Sequence, residues 1–140
     1  MFDPNTKFLV VDDFATMRKV VKKVLNELGY NDIQEAADGK LAFEVLESAS
    51  ASNQPIQCIV SDWNMPNMSG LELLKVCKAN PKFKNVPFML VTAESEKEQI
   101  IEAAKAGVSE YVVKPFNAAT LKEKLTRVYA KHNPGQKAAA

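Results

Sequence analysis

The chain is short of most features that mark a specialised class of protein. It has two cysteines and one histidine among 140 residues. A single histidine excludes a His-rich metal site, and two cysteines are too few for a disulfide framework. Cys58 and Cys77 both lie in apolar runs, where buried, reduced thiols are expected. An excess of one charge is also missing, because 18 Lys+Arg face 17 Asp+Glu for a net charge of +1. That balance excludes nucleic-acid binding by bulk charge and an acidic disordered chain. No run approaches the ~20 apolar residues of a membrane span. The opening MFDPNTK is not a charged-then-apolar signal, so a cytoplasmic protein without membrane contact is expected. Neither GxxxxGK[ST] nor GxGxxG occurs, so a loop that cradles a nucleotide is not supported.

What is present is ordinary globular composition, 46% hydrophobic and 25% charged. The length suits one domain, which can bury roughly two-thirds of its unfolded surface. Short continuous apolar runs alternate with helical patterns. Phe8–Val11, Ile33–Ala37, Ile56–Ser61, Val86–Thr92 and Tyr111–Val113 read as strands. Met17, Val20, Val21, Val24, Leu25 and Leu28 are spaced as one helix face, which Gly29 stops. Leu41, Phe43, Val45 and Leu46 suggest a second helix, and Leu71, Leu73, Leu74 and Val76 a third. Ile100, Ile101 and Ala104 mark a fourth, and Leu121, Leu125, Val128 and Tyr129 a fifth. Five strands alternating with five helices predict an α/β fold with a doubly wound parallel sheet. Ser48–Pro55 (SASASNQP) and the tail from Asn133 read as loose, the tail as disordered.

In an open parallel sheet, ligands bind beyond the carboxyl ends of the strands. The residues there are Asp12 and Asp13, then Asp62, then Thr92 with Glu94 close behind, then Lys114. Clustered carboxylates repel unless they protonate or hold a cation. An all-oxygen set suits Mg²⁺, Mn²⁺ or Ca²⁺. A helix cap is the plain alternative for Asp12 or Asp13, and a structural ion pair for Lys114. Acids, a cation, a lysine and a hydroxyl together make a site for a phosphoryl group, with a carboxylate as the nucleophile.

FLVVDDFATMRKVV, SDWNMPNMSGLELLK, VTAE and YVVKPF resemble the receiver domain of two-component response regulators, more narrowly the chemotaxis regulators of the CheY type. The likeness runs from about Lys7 to Tyr129. It implies a flavodoxin-like (βα)5 sandwich with strand order 2-1-3-4-5. Residues 1–132 would be one receiver domain with no output domain, and 133–140 a tail.

The resemblance also implies roles. Asp62 would accept a phosphoryl group from a histidine kinase of the CheA type. Asp13, Asp62 and the backbone carbonyl of Asn64 would ligate Mg²⁺, and Asp12 would hold a metal-bound water. Lys114 would contact the phosphoryl oxygens, with a cis bond to Pro115. Thr92 would hydrogen-bond the phosphoryl group, and Tyr111 would turn into the space that Thr92 leaves. Trp63 would report metal or phosphate binding, though on its own it reads as a partly exposed aromatic. Asn64 and Glu94 would tune dephosphorylation, including the response to a phosphatase such as CheZ. Lys97, Ile100, Tyr111, Val113 and Lys124 would form the face that docks on the flagellar switch protein FliM. The protein would be a monomeric phosphoacceptor, not a turnover enzyme.

Two stretches depart from the pattern. SASASNQP is longer than usual there, and Ser95-Glu96-Lys97 stands where Ala-Lys-Lys is common. Glu96 reverses one charge on the docking face, which leaves a phosphate sink or a non-motor partner as alternatives. An Asp-nucleophile phosphatase is a further reading. Such enzymes carry a second acid two residues after the nucleophile, where this chain has Asn64.

Overall fold

The computed structural model of the protein describes residues 2–93 and 97–132. The order is β1 (Phe8–Val11), α1 (Ala15–Glu27), β2 (Ile33–Ala36), α2 (Gly39–Ala51), β3 (Cys58–Asp62), α3 (Gly70–Ala79), β4 (Phe88–Thr92), α4 (Lys97–Lys105), β5 (Glu110–Val113) and α5 (Ala118–His132). The strands form one sheet in the order β2-β1-β3-β4-β5, with every neighbouring pair parallel. This is the expected flavodoxin-like arrangement.

β1, β3 and β4 are buried at every position. Helices on both faces demand such runs, and successive side chains serve opposite faces. Leu9, Val11, Ile59, Phe88 and Leu90 join α2 and α3 in one core. Phe8, Val10, Val60, Met89, Val91 and Val112 join α1 and α5 in the other. Cys58 and Cys77 are buried and free, as expected. Desolvation pushes the Cys77 thiol up to about 12 and the Cys58 thiol higher, so both stay protonated and inert.

Several boundaries differ from the sequence reading. The SASAS segment is not loose at its start, since α2 runs through Ala51. Its end is closed by the Ser52 N–H on the Ser48 carbonyl, and Asn53 takes the turn at φ 61°. Ile56 is buried but precedes β3. Val20, Leu41 and Ile101, read as parts of buried stripes, are 42%, 45% and 44% exposed. The tail from Asn133, and Glu94, Ser95 and Glu96, lie outside the described residues. No helix of the described residues is long and apolar enough to cross a membrane.

Candidate functional site

The carboxyl ends of β1, β3 and β5 bring Asp12, Asp13, Asp62 and Lys114 together. One carboxylate oxygen from each of the three acids lies within 4.8 Å of the others. Asp62 ends β3, and Asp12 follows β1 directly. These two acids are 9% and 3% exposed, so their charges meet little solvent screening.

Each acid is held differently. The Asp12 carboxylate accepts from the Phe14 N–H at 2.9 Å and lies 3.5 Å from the Lys114 Nζ. Its backbone carbonyl accepts from the Arg18 guanidinium at 2.6 Å. Asp62 Oδ1 lies 3.2 Å from the same Lys114 Nζ. Asp13 Oδ1 is buried with no hydrogen-bond partner among the described residues. Burial, then the charge of Asp12, push the Asp62 carboxyl above its ordinary range, and Lys114 pulls it back. One lysine thus partly offsets three acids. The capping alternative fails, because the N-cap of α1 is Phe14 and has no side-chain cap.

The backbone around the acids is tightly set. The Lys114–Pro115 peptide is cis, and the Lys114 N–H donates to the Thr92 carbonyl at 2.7 Å. Gly70 begins α3 directly under Asp62, where an added Cβ would stand 2.1 Å from the Asp62 carbonyl oxygen. Only a glycine lets the helix approach the strand end so closely. Ser69 caps α3 in a capping box with Glu72, so the loop returning from Asp62 ends rigidly. A second tie lies beside it. The Asn67 amide donates to Asp38 at 2.9 Å, and the Gly39 N–H donates to the Met68 carbonyl at 3.1 Å.

The other expected residues fall into place unevenly. Thr92 ends β4 and is 4% exposed. Asn64 is exposed on the loop after β3. Trp63 is 8% exposed and packed into the α2–α3 core, so the reading of a partly exposed ring is corrected. Its backbone N–H donates to the Val91 carbonyl at 3.0 Å, which continues the sheet pairing, and its side chain packs on the same face as Ile59. Tyr111, Val113, Ile100 and Lys124 are half-buried on the α4–β5–α5 side. Lys97 opens α4. Glu94 is outside the described residues.

Two residues escaped the sequence reading. Arg18 pairs with Glu35 at 3.1 Å while holding the Asp12 carbonyl. Glu110 opens β5 and faces two lysines of α5. An acid beside Tyr111 was the available signal for Glu110. Arg18 gave none, since a charge on a helix face is usually solvated.

The response regulator receiver domain family matches residues 8–126. The chain is 49% identical over 129 residues to chemotaxis protein CheY-3 of Vibrio cholerae, covering 92% of this chain and 95% of that one. The structure of Vibrio cholerae CheY4 is similar with a TM-score of 0.76 and 35% identity, covering 89% of this chain and 98% of that one. The receiver domain of a Pseudomonas aeruginosa sensor histidine kinase, solved with a magnesium ion in its active-site cleft, superposes with a TM-score of 0.73 at 27% identity, covering 88% and 96%. The order of the sheet, the acids at its carboxyl edge and these similarities lead to one assignment. The chain belongs to the response regulator receiver family and, within it, to the CheY-like chemotaxis regulators.

Proposed function

We propose that this receiver is switched by a phosphoryl group on Asp62, donated by a histidine kinase of the CheA type, to dock on the flagellar switch protein FliM. The observation that carries the reading is the three-acid cluster with Lys114 at its edge. The donor set fits a hard divalent cation. It is all oxygen, and the buried Asp13 Oδ1 has no other partner among the described residues. Asp13, Asp62 and the Asn64 carbonyl would hold Mg²⁺, with Asp12 on a bound water. When bound, the cation supplies charge neutralisation between the carboxylates and the phosphoryl oxygens.

The protein's own residues do the rest. An Asp62 carboxylate oxygen attacks phosphorus, and the bond from phosphorus to the donor's imidazole nitrogen breaks. The electron pair of that bond leaves with the imidazole. Lys114, already 3.2 Å from Asp62, turns its ammonium to the new phosphoryl oxygens as a point charge. The hydroxyl of Thr92, at the end of the neighbouring strand, donates to the same group. Tyr111 then turns inward, and the α4–β5–α5 face changes shape. Asn64 and Glu94 set the lifetime of the phosphoryl group, alone or with a phosphatase such as CheZ. In this reading residues 1–132 act as one receiver whose surface is its output.

The test is a peptide copying the acidic amino-terminal segment of FliM. Titrated onto the protein, it should bind at least several-fold tighter with beryllofluoride and Mg²⁺ than without. Equal affinity in both states removes the motor role.

A further inference from the structure

The α4–β5–α5 face carries a charge arrangement that the phosphorylation chemistry does not use. Glu110, first residue of β5, is only 11% exposed at its side chain. Its Oε1 lies 3.6 Å from the Lys124 Nζ, and its Oε2 lies 3.9 Å from the Lys131 Nζ. The same Oε1 accepts from the Tyr111 N–H at 3.2 Å. Lys131 also donates to the Ser109 carbonyl, so the acid is gripped from the far end of α5. Lys124 in turn sits over the Tyr111 ring, its Nζ 4.9 Å from the centroid. That is within the reach of a cation–π contact.

These contacts form one chain: Glu110 holds Lys124, and Lys124 covers Tyr111. The side chain of Lys124 is 19% exposed, so its charge is partly desolvated and the contacts are stronger than those of a free surface pair. The acid belongs to β5 and the lysine to α5, so the link spans the two elements across which Tyr111 lies.

We infer that Glu110 is a positioning residue that clamps Lys124 over Tyr111 and so raises the threshold for docking an acidic partner. The inference rests on the proposed role of Tyr111 and deepens it. While Glu110 occupies Lys124, the lysine is not available to a partner's carboxylate. While Lys124 covers the ring, Tyr111 is held at its half-exposed position. An acidic segment must displace Glu110 before it can pair with Lys124, and this displacement frees the ring to move. Docking and the inward turn of Tyr111 are therefore coupled through one lysine.

The experiment uses the full chain and two readouts. The first is the ring ¹³C resonance of Tyr111 in the free protein. Glu110→Gln, which keeps the shape and removes the charge, should shift it in the same direction as Lys124→Gln. The double variant should add nothing, because both changes break one clamp. The second readout is affinity for the acidic FliM peptide without beryllofluoride. Glu110→Gln should raise it up to about fivefold, the ceiling for a partly exposed pair. In the Lys124→Gln background the same change should raise it by much less. An unmoved Tyr111 resonance in Glu110→Gln overturns the clamp. So does an equal affinity gain in both backgrounds, which marks a general charge effect. Failure of beryllofluoride to tighten binding in the unmodified protein bears on the motor role instead, and the Tyr111 resonance still decides the clamp.

Discussion

The acidic pocket and the α4–β5–α5 face are both built from part-buried lysine–carboxylate contacts at similar distances, yet they balance those charges in opposite ways. In the pocket, Lys114 reaches Asp62 at 3.2 Å and Asp12 at 3.5 Å, and the acids' side chains are 11% and 4% exposed. On the face, one acid meets two lysines: Glu110, 11% exposed at its side chain, lies 3.6 Å from Lys124, 19% exposed, and 3.9 Å from Lys131, 56% exposed. Burial makes each charge in the pocket costly to leave unpaired. On the face Glu110 keeps a second lysine when one changes partner, so neither exchange leaves the acid unpaired. The difference suits a switch, whose chemistry needs fixed groups and whose output needs groups that can change partners.

The comparison can be broken by removing one lysine from each region. Lys114→Gln leaves two buried carboxylates facing each other without a cation. We expect a loss of about 2 kcal/mol in metal-free urea unfolding, reduced from the fully buried case because Lys114 is partly exposed. Mg²⁺ should restore more stability to this variant than to the unmodified protein. Lys124→Gln should cost about 1 kcal/mol or less in the same assay, because Lys131 stays beside Glu110. Similar losses at the two sites would mean that the balance of acids and lysines does not separate them.

A smaller effect tests the far end of α5. His132 is the only histidine, and its Nε2 lies 2.7 Å from the Ser109 hydroxyl. That hydroxyl also accepts from the Phe88 N–H, so it joins the end of α5 to β4. Burial, then Lys78 and Lys131, hold the imidazole below its usual pKa, against a hydrogen bond to the Asn85 carbonyl. Because the folded pKa is below the unfolded one, the unfolded chain takes up the proton first as pH falls. The stability from this group is therefore complete above the unfolded pKa, about 6.5. It declines as pH drops through the folded value. Urea midpoints should fall more for the unmodified protein than for His132→Gln below about pH 6.5. Parallel pH profiles would remove His132 from the anchor of α5.

The sequence showed the pocket more fully than the face, for a physical reason. Strands buried on both faces are unmistakable apolar runs, and the residue after each run must lie at the carboxyl edge. Asp12, Asp62, Thr92 and Lys114 were legible on that rule alone. α2 was cut short because serines favour caps and turns, although Ser48 and Ser50 lie inside the helix. Trp63 was misplaced because its neighbour Asp62 is polar, while strand alternation turns the indole into the core. Lys124 meets Glu110 and Tyr111 only when α5 packs on β5, so no local spacing marks that pairing, although the acid beside Tyr111 is visible in the sequence.

We propose that Asp62 is the single phosphoryl acceptor of this pocket. Incubation with acetyl phosphate and Mg²⁺, read by intact mass, tests it directly. One added phosphoryl group is expected, lost on chelation of Mg²⁺ before mixing and absent in Asp62→Asn. Labelling of Asp62→Asn to the same extent as the unmodified protein would contradict it.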